Sequence, residues 1–299
     1  TSATTRAFST PDYKFNIVTR RNVRVKNGNG RTSVDVDGLR SDNAEFNGGK
    51  LKNVSADKLN FTDLPNSTGL TANNLRADRL DANGVVIGGL DAPMIELNNS
   101  GGATVIYADK LRVAKIDAGS AILGSLNIGG VRLTIRQGRV EGRTNDIDAG
   151  KVTLAKTKDL PDGGSLDAVK LSKPIFILEP SGRYRASADM SLGGGAVGSI
   201  ALGAATAKVD VTNDRVALND LTAAVMNGNL NGTAVIAFNN RAQSAFNGDF
   251  ANLDIGKLLA LSGGRVIPLE GETTGRVDLT FAGKNFRTAS GTVNADIAA

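Results

Sequence analysis

Val131-Arg-Leu-Thr-Ile-Arg136 sets Val131, Leu133 and Ile135 against Arg132, Thr134 and Arg136, an apolar residue at every second position and a polar one between. Alternation of period two places one side-chain set on each face of an extended strand, so the segment reads as a strand with one dry and one wet face. The pattern recurs outward from there. Tyr184, Ala186, Ala188 and Met190 alternate with Arg185, Ser187 and Asp189, and Val277, Leu279 and Phe281 alternate with Arg276, Asp278 and Thr280. Between such runs stand Asn27-Gly-Asn-Gly30, Asn47-Gly-Gly49, Asn83-Gly84, Pro161-Asp-Gly-Gly164, Asn227-Gly-Asn229 and Asn231-Gly232, dipeptides that supply the positive φ of tight hairpins. Short connections make neighbouring strands antiparallel, since parallel pairing requires crossovers of a dozen residues or more. The fold class expected is therefore all-β: an elongated antiparallel sheet curled into a groove or superhelix.

Helical periodicity is confined to one place. In Asn252-Leu-Asp-Ile-Gly-Lys-Leu-Leu-Ala-Leu-Ser-Gly-Gly264, Asn252 or Asp254 can cap a helix, Ile255, Leu258, Leu259 and Leu261 form a stripe, and the glycines stop it. The spacing predicts one short helix near 254–261. Pro174-Ile-Phe-Ile-Leu178 reads as a buried or edge strand.

The first half carries a looser echo: Ala56-Asp-Lys-Leu59, Ala72-Asn-Asn-Leu75, Ala77-Asp-Arg-Leu80 and Ala108-Asp-Lys-Leu111. Short repeated units suggest a stacked architecture, with a right-handed β-helix as the structural competitor, although the tetrads are unevenly spaced. The tetrads end before Lys151, and Pro161-Asp-Gly-Gly164 marks a break, which divides the chain into residues 1–160, a β-rich repeat-like segment, and residues 161–299.

Composition restricts the chemistry. The 299 residues include no Cys and no His, which removes thiolate nucleophiles, Ser/His and Cys/His pairs and ordinary zinc sites. Aromatic residues make up only 4% and Trp is absent, so a thick aromatic core is not expected. Lys and Arg number 35 against 30 Asp and Glu, and the interleaved signs name no partner. No run is long and apolar enough to form a membrane-spanning helix. The first and last residues read as cut ends, so an anchor or signal is expected outside this chain.

The sharper motifs have plainer readings. Gly193-Gly-Gly195-Ala-Val-Gly198 satisfies a dinucleotide-binding spacing, but it lies between two strands instead of opening a helix. Asp35/Asp37 and Asp146/Asp148 share a strand face and lack the ligand count of a calcium loop. Arg24 and Lys26 alternate with Val23 and Val25, the wet face of a strand, and no interleaved aromatics point to nucleic acid. These readings expect no catalytic residue, no metal and no cofactor.

Leu218-Asn-Asp-Leu-Thr-Ala-Ala-Val-Met-Asn-Gly-Asn-Leu-Asn-Gly-Thr-Ala-Val-Ile-Ala-Phe238 resembles the carboxy-terminal pattern of the AsmA and TamB-like envelope proteins, a strand, a small-residue turn and a Gly-led strand. Phe246-Asn-Gly-Asp-Phe-Ala-Asn-Leu-Asp-Ile-Gly-Lys-Leu-Leu-Ala-Leu261 and Leu269-Glu-Gly-Glu-Thr-Thr-Gly-Arg-Val-Asp-Leu-Thr-Phe-Ala-Gly283 extend the likeness over roughly Val209 to Ile297, and the earlier residues match only in style. The resemblance implies a β-groove in the periplasm of a Gram-negative envelope, anchored in the inner membrane by a segment outside this chain. It also implies roles in phospholipid transport and outer-membrane biogenesis, with the two membranes or outer-membrane assembly proteins as partners. The family has no catalytic residues to carry over.

A one-faced apolar sheet has to bury that face against a sheet, a helix layer or a ligand. The expected lining is Val131, Leu133, Ile135, Ala186, Ala188, Val209, Val211, Val225, Val277, Leu279 and Phe281, small and medium side chains that leave room for the acyl chain of a phospholipid or similar lipid. The first reading of function is a non-enzymatic segment that holds or conducts lipid between membranes. The alternative is a surface-exposed β-helix adhesin or passenger that binds partners through its outer face; an enzyme acting on polysaccharide rests on carboxylates alone.

Overall fold

The computed structural model describes residues 3–9, 13–20, 22–46, 49–82, 84–158, 160, 162–198, 200–254 and 271–298. Among the described residues the chain is all-β, with antiparallel strand pairing and no helix. The helix expected near 254–261 lies outside the described residues, except Asp254, which ends a strand. The chain divides into two compact units, residues 1–149 with 177–181 and residues 150–176 with 182–299.

In the first unit β1 (Ala3–Ser9), β2 (Tyr13–Arg20) and β3 (Asn22–Gly28) lead into four strands of 16 residues each. These are β4 (Arg31–Phe46), β5 (Gly49–Leu64), β6 (Ser67–Ala82) and β7 (Val85–Ser100), followed by β8 (Ala103–Asp117). They start at intervals of 18 residues, and each pairs with the next as a meander. β9 (Ala121–Leu123) and β10 (Leu126–Arg136) both pair with β8, and β10 pairs in turn with β11 (Arg139–Arg143) and the start of β12 (Asp146–Leu154). Asn29-Gly30 and Gly101-Gly102 have positive φ at both positions, as tight two-residue hairpins require.

These strands are not flat. β5 alternates between inside and outside, then slips: Lys52 and Asn53 are both exposed, Val54 and Ala56 are buried, and Asp57 and Lys58 are again both exposed. Each slip is a corner, and pairing resumes beyond it in the same register, as Asp37 with Lys58 and Leu39 with Ala56 show. Every neighbouring strand slips at the same two rungs. The Ala-Asp-x-Leu tetrads are these corners, an inward residue, two outward ones and a second inward one. Gly38, Asn53, Asn74, Gly89 and Gly130 adopt left-handed φ there, a conformation that glycine and asparagine tolerate.

Asn53 donates to Asp78 at 2.7 Å, and Asn74 donates to Asp57 at 2.9 Å. The corner asparagines are thus tied to the neighbouring strand as well as being conformationally suited to the bend.

The second unit contains most of β13 (Gly164–Leu178), then β14 (Tyr184–Leu192), β15 (Gly194–Val197), β16 (Ile200–Thr212) and β17 (Arg215–Val225). It continues with β18 (Gly228–Ala237), β19 (Gln243–Asp254), β20 (Glu272–Ala282) and β21 (Asn285–Ala298). From β16 onward each strand pairs with its successor. Left-handed Asp220 and Asn252 sit at register shifts of β17 against β18 and of β19 against β20. Ile175 and Phe176 are exposed, so the segment between the two prolines is not a buried strand; it forms the end of β13, with Phe176 packed near the Tyr184 ring.

The corner account predicts that Asn74→Val, which puts a β-branched residue at left-handed φ, destabilises the chain by about 1–3 kcal/mol. Asn74→Gly keeps the backbone accessible and has a smaller effect. Urea denaturation of the two variants checks the difference.

Candidate apolar trough

Because every strand slips in phase at the same rungs, the inward residues line up in rows that run across the strands. In the first unit one row is Val36, Leu59, Ala72, Ile95, Ala108 and Val131, each in register with the next. Beside it run Val34, Phe61, Leu70, Leu97, Ile106 and Leu133. Beyond the first corner lie Leu39 with Ala56 and Leu75 with Ala92, then Leu90, Val113, Leu126 and Ala149 in successive register. Past the second corner come Ala44, Leu51, Leu80, Ile87, Ile116 and Leu123. None of these residues is charged.

The middle rows are the deepest. Ala56 is 2% exposed, Ala92 0%, Val113 4% and Leu126 4%. A residue on one face of a single sheet reaches such burial only if atoms outside its own wall cover it. We read the corners as folding the flanking walls over the floor, so that the sheet is a trough whose dry side is concave. Ala44, Val54 and Ala77 form a packed cluster there, with Leu51, Leu75 and Leu90 against them. Large and small residues alternate along the floor, which lets facing side chains interdigitate. The outer wings of the trough, including Leu70, Leu97, Ile106 and Ile116, are only partly buried.

The second unit repeats the arrangement. Ala188, Val209, Leu218, Ala234, Phe246, Leu279 and Gly291 form a continuous row, and Ala186, Val211, Val216 and Ile236 lie beside it. Its deep cluster is Leu192, Ala205 and Ala223, packed against Leu166, Val169, Met190 and Val225. Aromatic rings are accommodated by glycine. An added Cβ on Gly275, which pairs with Phe250, would lie 2.9 Å from that ring, and one on Gly248 would lie 3.1 Å from the Phe246 ring. Ser244 is fully buried between these rows; its Oγ accepts from Ala237 N at 2.8 Å and donates to the carbonyl of Gly283 at 2.5 Å.

Of the expected lining residues, Val131, Leu133 and Ile135 lie on inward rows of the first unit and the other eight on inward rows of the second. Phe281 is buried and the remaining ten are partly buried. The floor of the first unit was not among them, although its signal was present in the tetrads.

Charges occupy the other face. Arg76 pairs with Asp91, Arg79 with Asp81, Lys208 with Asp220 and Arg276 with Asp278, solvent-accessible pairs that are individually weak. The Arg79 guanidinium holds Asp81 below the usual carboxylate range through a hydrogen bond. Asp117 is held low chiefly by the Gly119 backbone N–H at 3.1 Å.

The paired acids lie among these outward residues: Asp35 accepts from Asn60 at 2.6 Å and Asp37 from Asn22 at 3.4 Å, while Asp146 and Asp148 stand at one end of β12. Among the described residues there is no group of three or more metal-ligating side chains. Gly194 to Val197 form β15 between β13 and β16, with no helix following to hold a phosphate.

Comparisons with protein-family models, with curated proteins and with solved structures find no match for this chain.

Removing the Ser244 hydroxyl leaves the Ala237 N–H and the Gly283 carbonyl without that partner in a dry setting. Ser244→Ala is expected to cost about 1–3 kcal/mol, measured as a lowered denaturant midpoint at unchanged slope.

Proposed function

We propose that this chain is a non-enzymatic lipid-holding segment of the AsmA and TamB-like kind, taking acyl chains along its apolar rows and serving phospholipid movement between inner and outer membranes. The observation that carries the reading is the continuity of those rows: from β4 to β10 they present apolar side chains to one concave face, with Ser41 and the end rung of Thr32 and Asp63 as polar exceptions, while ion pairs stay on the other. The wings of the trough are only partly buried, which leaves apolar area for a guest to cover.

Each methylene moved from water onto such a surface contributes about 0.8 kcal/mol, so a single long tail gains on the order of 10 kcal/mol. Successive rungs are chemically alike, so that gain changes little as a tail shifts from one rung to the next. A smooth energy profile suits conduction better than tight storage. In this reading the polar head stays in water at the lip, the chain works in the periplasm, and a segment outside it provides an inner-membrane anchor and contacts to outer-membrane assembly proteins. The resemblance over Val209 to Ile297 supports the assignment.

A charge on an inward row is expensive to desolvate, by several kcal/mol, whereas one on the outer face is solvated. Leu279→Lys and Val225→Asp are expected to abolish lipid binding, and Thr280→Lys to leave it nearly unchanged. Native mass spectrometry and lipid photocrosslinking, on variants whose thermal midpoints match the parent, make the comparison. Normal binding by the folded inward variants, or no lipid on the parent protein, would show the dry face to be a closed structural core.

A further inference from the structure

The two lips of the first unit's trough are chemically unlike. At the ends of the strands joined through residues 29–30, 65–66 and 101–102, the last inward rung is polar from β4 to β8, beyond which Ile135 of β10 follows in register with Thr104. Thr32, Asp63, Thr68, Asn99 and Thr104 lie in register with one another, on the same face as Val34, Phe61, Leu70, Leu97 and Ile106 by strict alternation. At the opposite strand ends the last inward rung is Gly49, Ala82 and Val85, which carries no polar side chain.

The polar rung also differs from the outer face. Several outward asparagines are engaged, Asn53 with Asp78, Asn74 with Asp57 and Asn60 with Asp35. Among the described residues, none of the five side chains on the polar rung has a hydrogen-bond or ion-pair partner. Asp63, beside Thr32 and Thr68, is exposed, and the five residues include no lysine or arginine. An unpartnered ladder of donors and acceptors with one carboxylate, set directly above an apolar wall, has the layout of a lipid's head-to-tail boundary.

We propose that lipid lies in the first unit with its headgroup on this rung and its acyl chain on the partly buried wing rows of Leu70 and Ile95 just inside it, and that Asp63 favours headgroups bearing an ammonium over those of net negative charge. The proposal rests on the lipid-holding reading. The carboxylate attracts the ammonium of a phosphatidylethanolamine-type head and repels an uncompensated phosphate, and the threonine and asparagine groups bond to phosphate and ester oxygens or to the amine. Because the site is open to water, the preference is a modest one of about two- to fivefold.

The test equilibrates the purified protein with vesicles of equal parts phosphatidylethanolamine and phosphatidylglycerol, re-isolates it, and measures both the total lipid bound and the ratio of the two. The parent is expected to favour phosphatidylethanolamine; Asp63→Asn should bring the ratio close to one and Asp63→Lys should invert it, each with total lipid unchanged. A photoreactive residue at position 99 should capture head-labelled lipid, and one at position 95, on the inner wing row, tail-labelled lipid. A ratio insensitive to residue 63, or equal capture of both labels at both positions, overturns the lip assignment while leaving the trough standing. No lipid on the parent protein overturns the lipid-holding reading and this inference with it.

Discussion

Everything in the first unit depends on a conflict between alternation and curvature. A strand that alternates strictly keeps one apolar face but has no reason to bend sharply, and a strand bent through a single extra residue sends every later side chain to the wrong face. Doubling the outward residues at the same rung of every strand resolves the conflict. Lys52-Asn53 and Asp57-Lys58 in β5, Asn73-Asn74 and Asp78-Arg79 in β6, and Asp109-Lys110 in β8 each put two polar residues outside and return the apolar set to the inside. Since neighbouring strands slip together, the hydrogen-bond ladder beyond the corner continues in register. The left-handed asparagines and glycines make the bend sterically possible, and the Asn–Asp pairs tie it across strands.

Curvature in turn determines composition. The floor between two corners is narrow and walled on both sides, so it alternates leucine with alanine and valine and, among the described residues, takes no aromatic ring, while the wings also carry Phe61, Leu97 and Ile106. A chain with 4% aromatic residues is suited to this geometry and would be poorly suited to a thick two-layer core. The second unit reaches a similar result by other means. Its larger rings, Phe246 and Phe250, lie over Gly248 and Gly275, positions where any side chain would collide with ring or backbone.

The strands and their antiparallel order were readable from alternation, because period two survives in any context where one face is dry. The corners were harder to recognise. The tetrads at Ala56, Ala72, Ala77 and Ala108 were visible, but their spacing looked irregular because successive strands run in opposite directions: each corner rung is met early in one strand and late in the next. The regular quantity is the 18-residue interval between strand starts, which the varied turn residues, Pro65-Asn66 among the glycine pairs, conceal. The Pro174 to Leu178 stretch read as a buried or an edge strand, and the exposure of Ile175 and Phe176 removes the buried alternative, since apolar character alone does not say whether anything packs on a strand's end.

A trough built this way has consequences for whatever occupies it. Its apolar rows run across the strands, along the direction in which strands are added, so lengthening the meander lengthens the dry path without changing its cross-section. The corner rungs are set by local sequence within each strand, and each new strand inherits the register of the last. A guest held by the rows therefore meets the same wall at each step, and what can distinguish one guest from another is confined to the lips, where the rungs stop being apolar and the chemistry first varies. In the lipid-holding reading we propose, that separation of uniform walls from a polar edge follows from placing both corners at fixed rungs and leaving one strand end free to carry Thr32, Asp63, Thr68, Asn99 and Thr104.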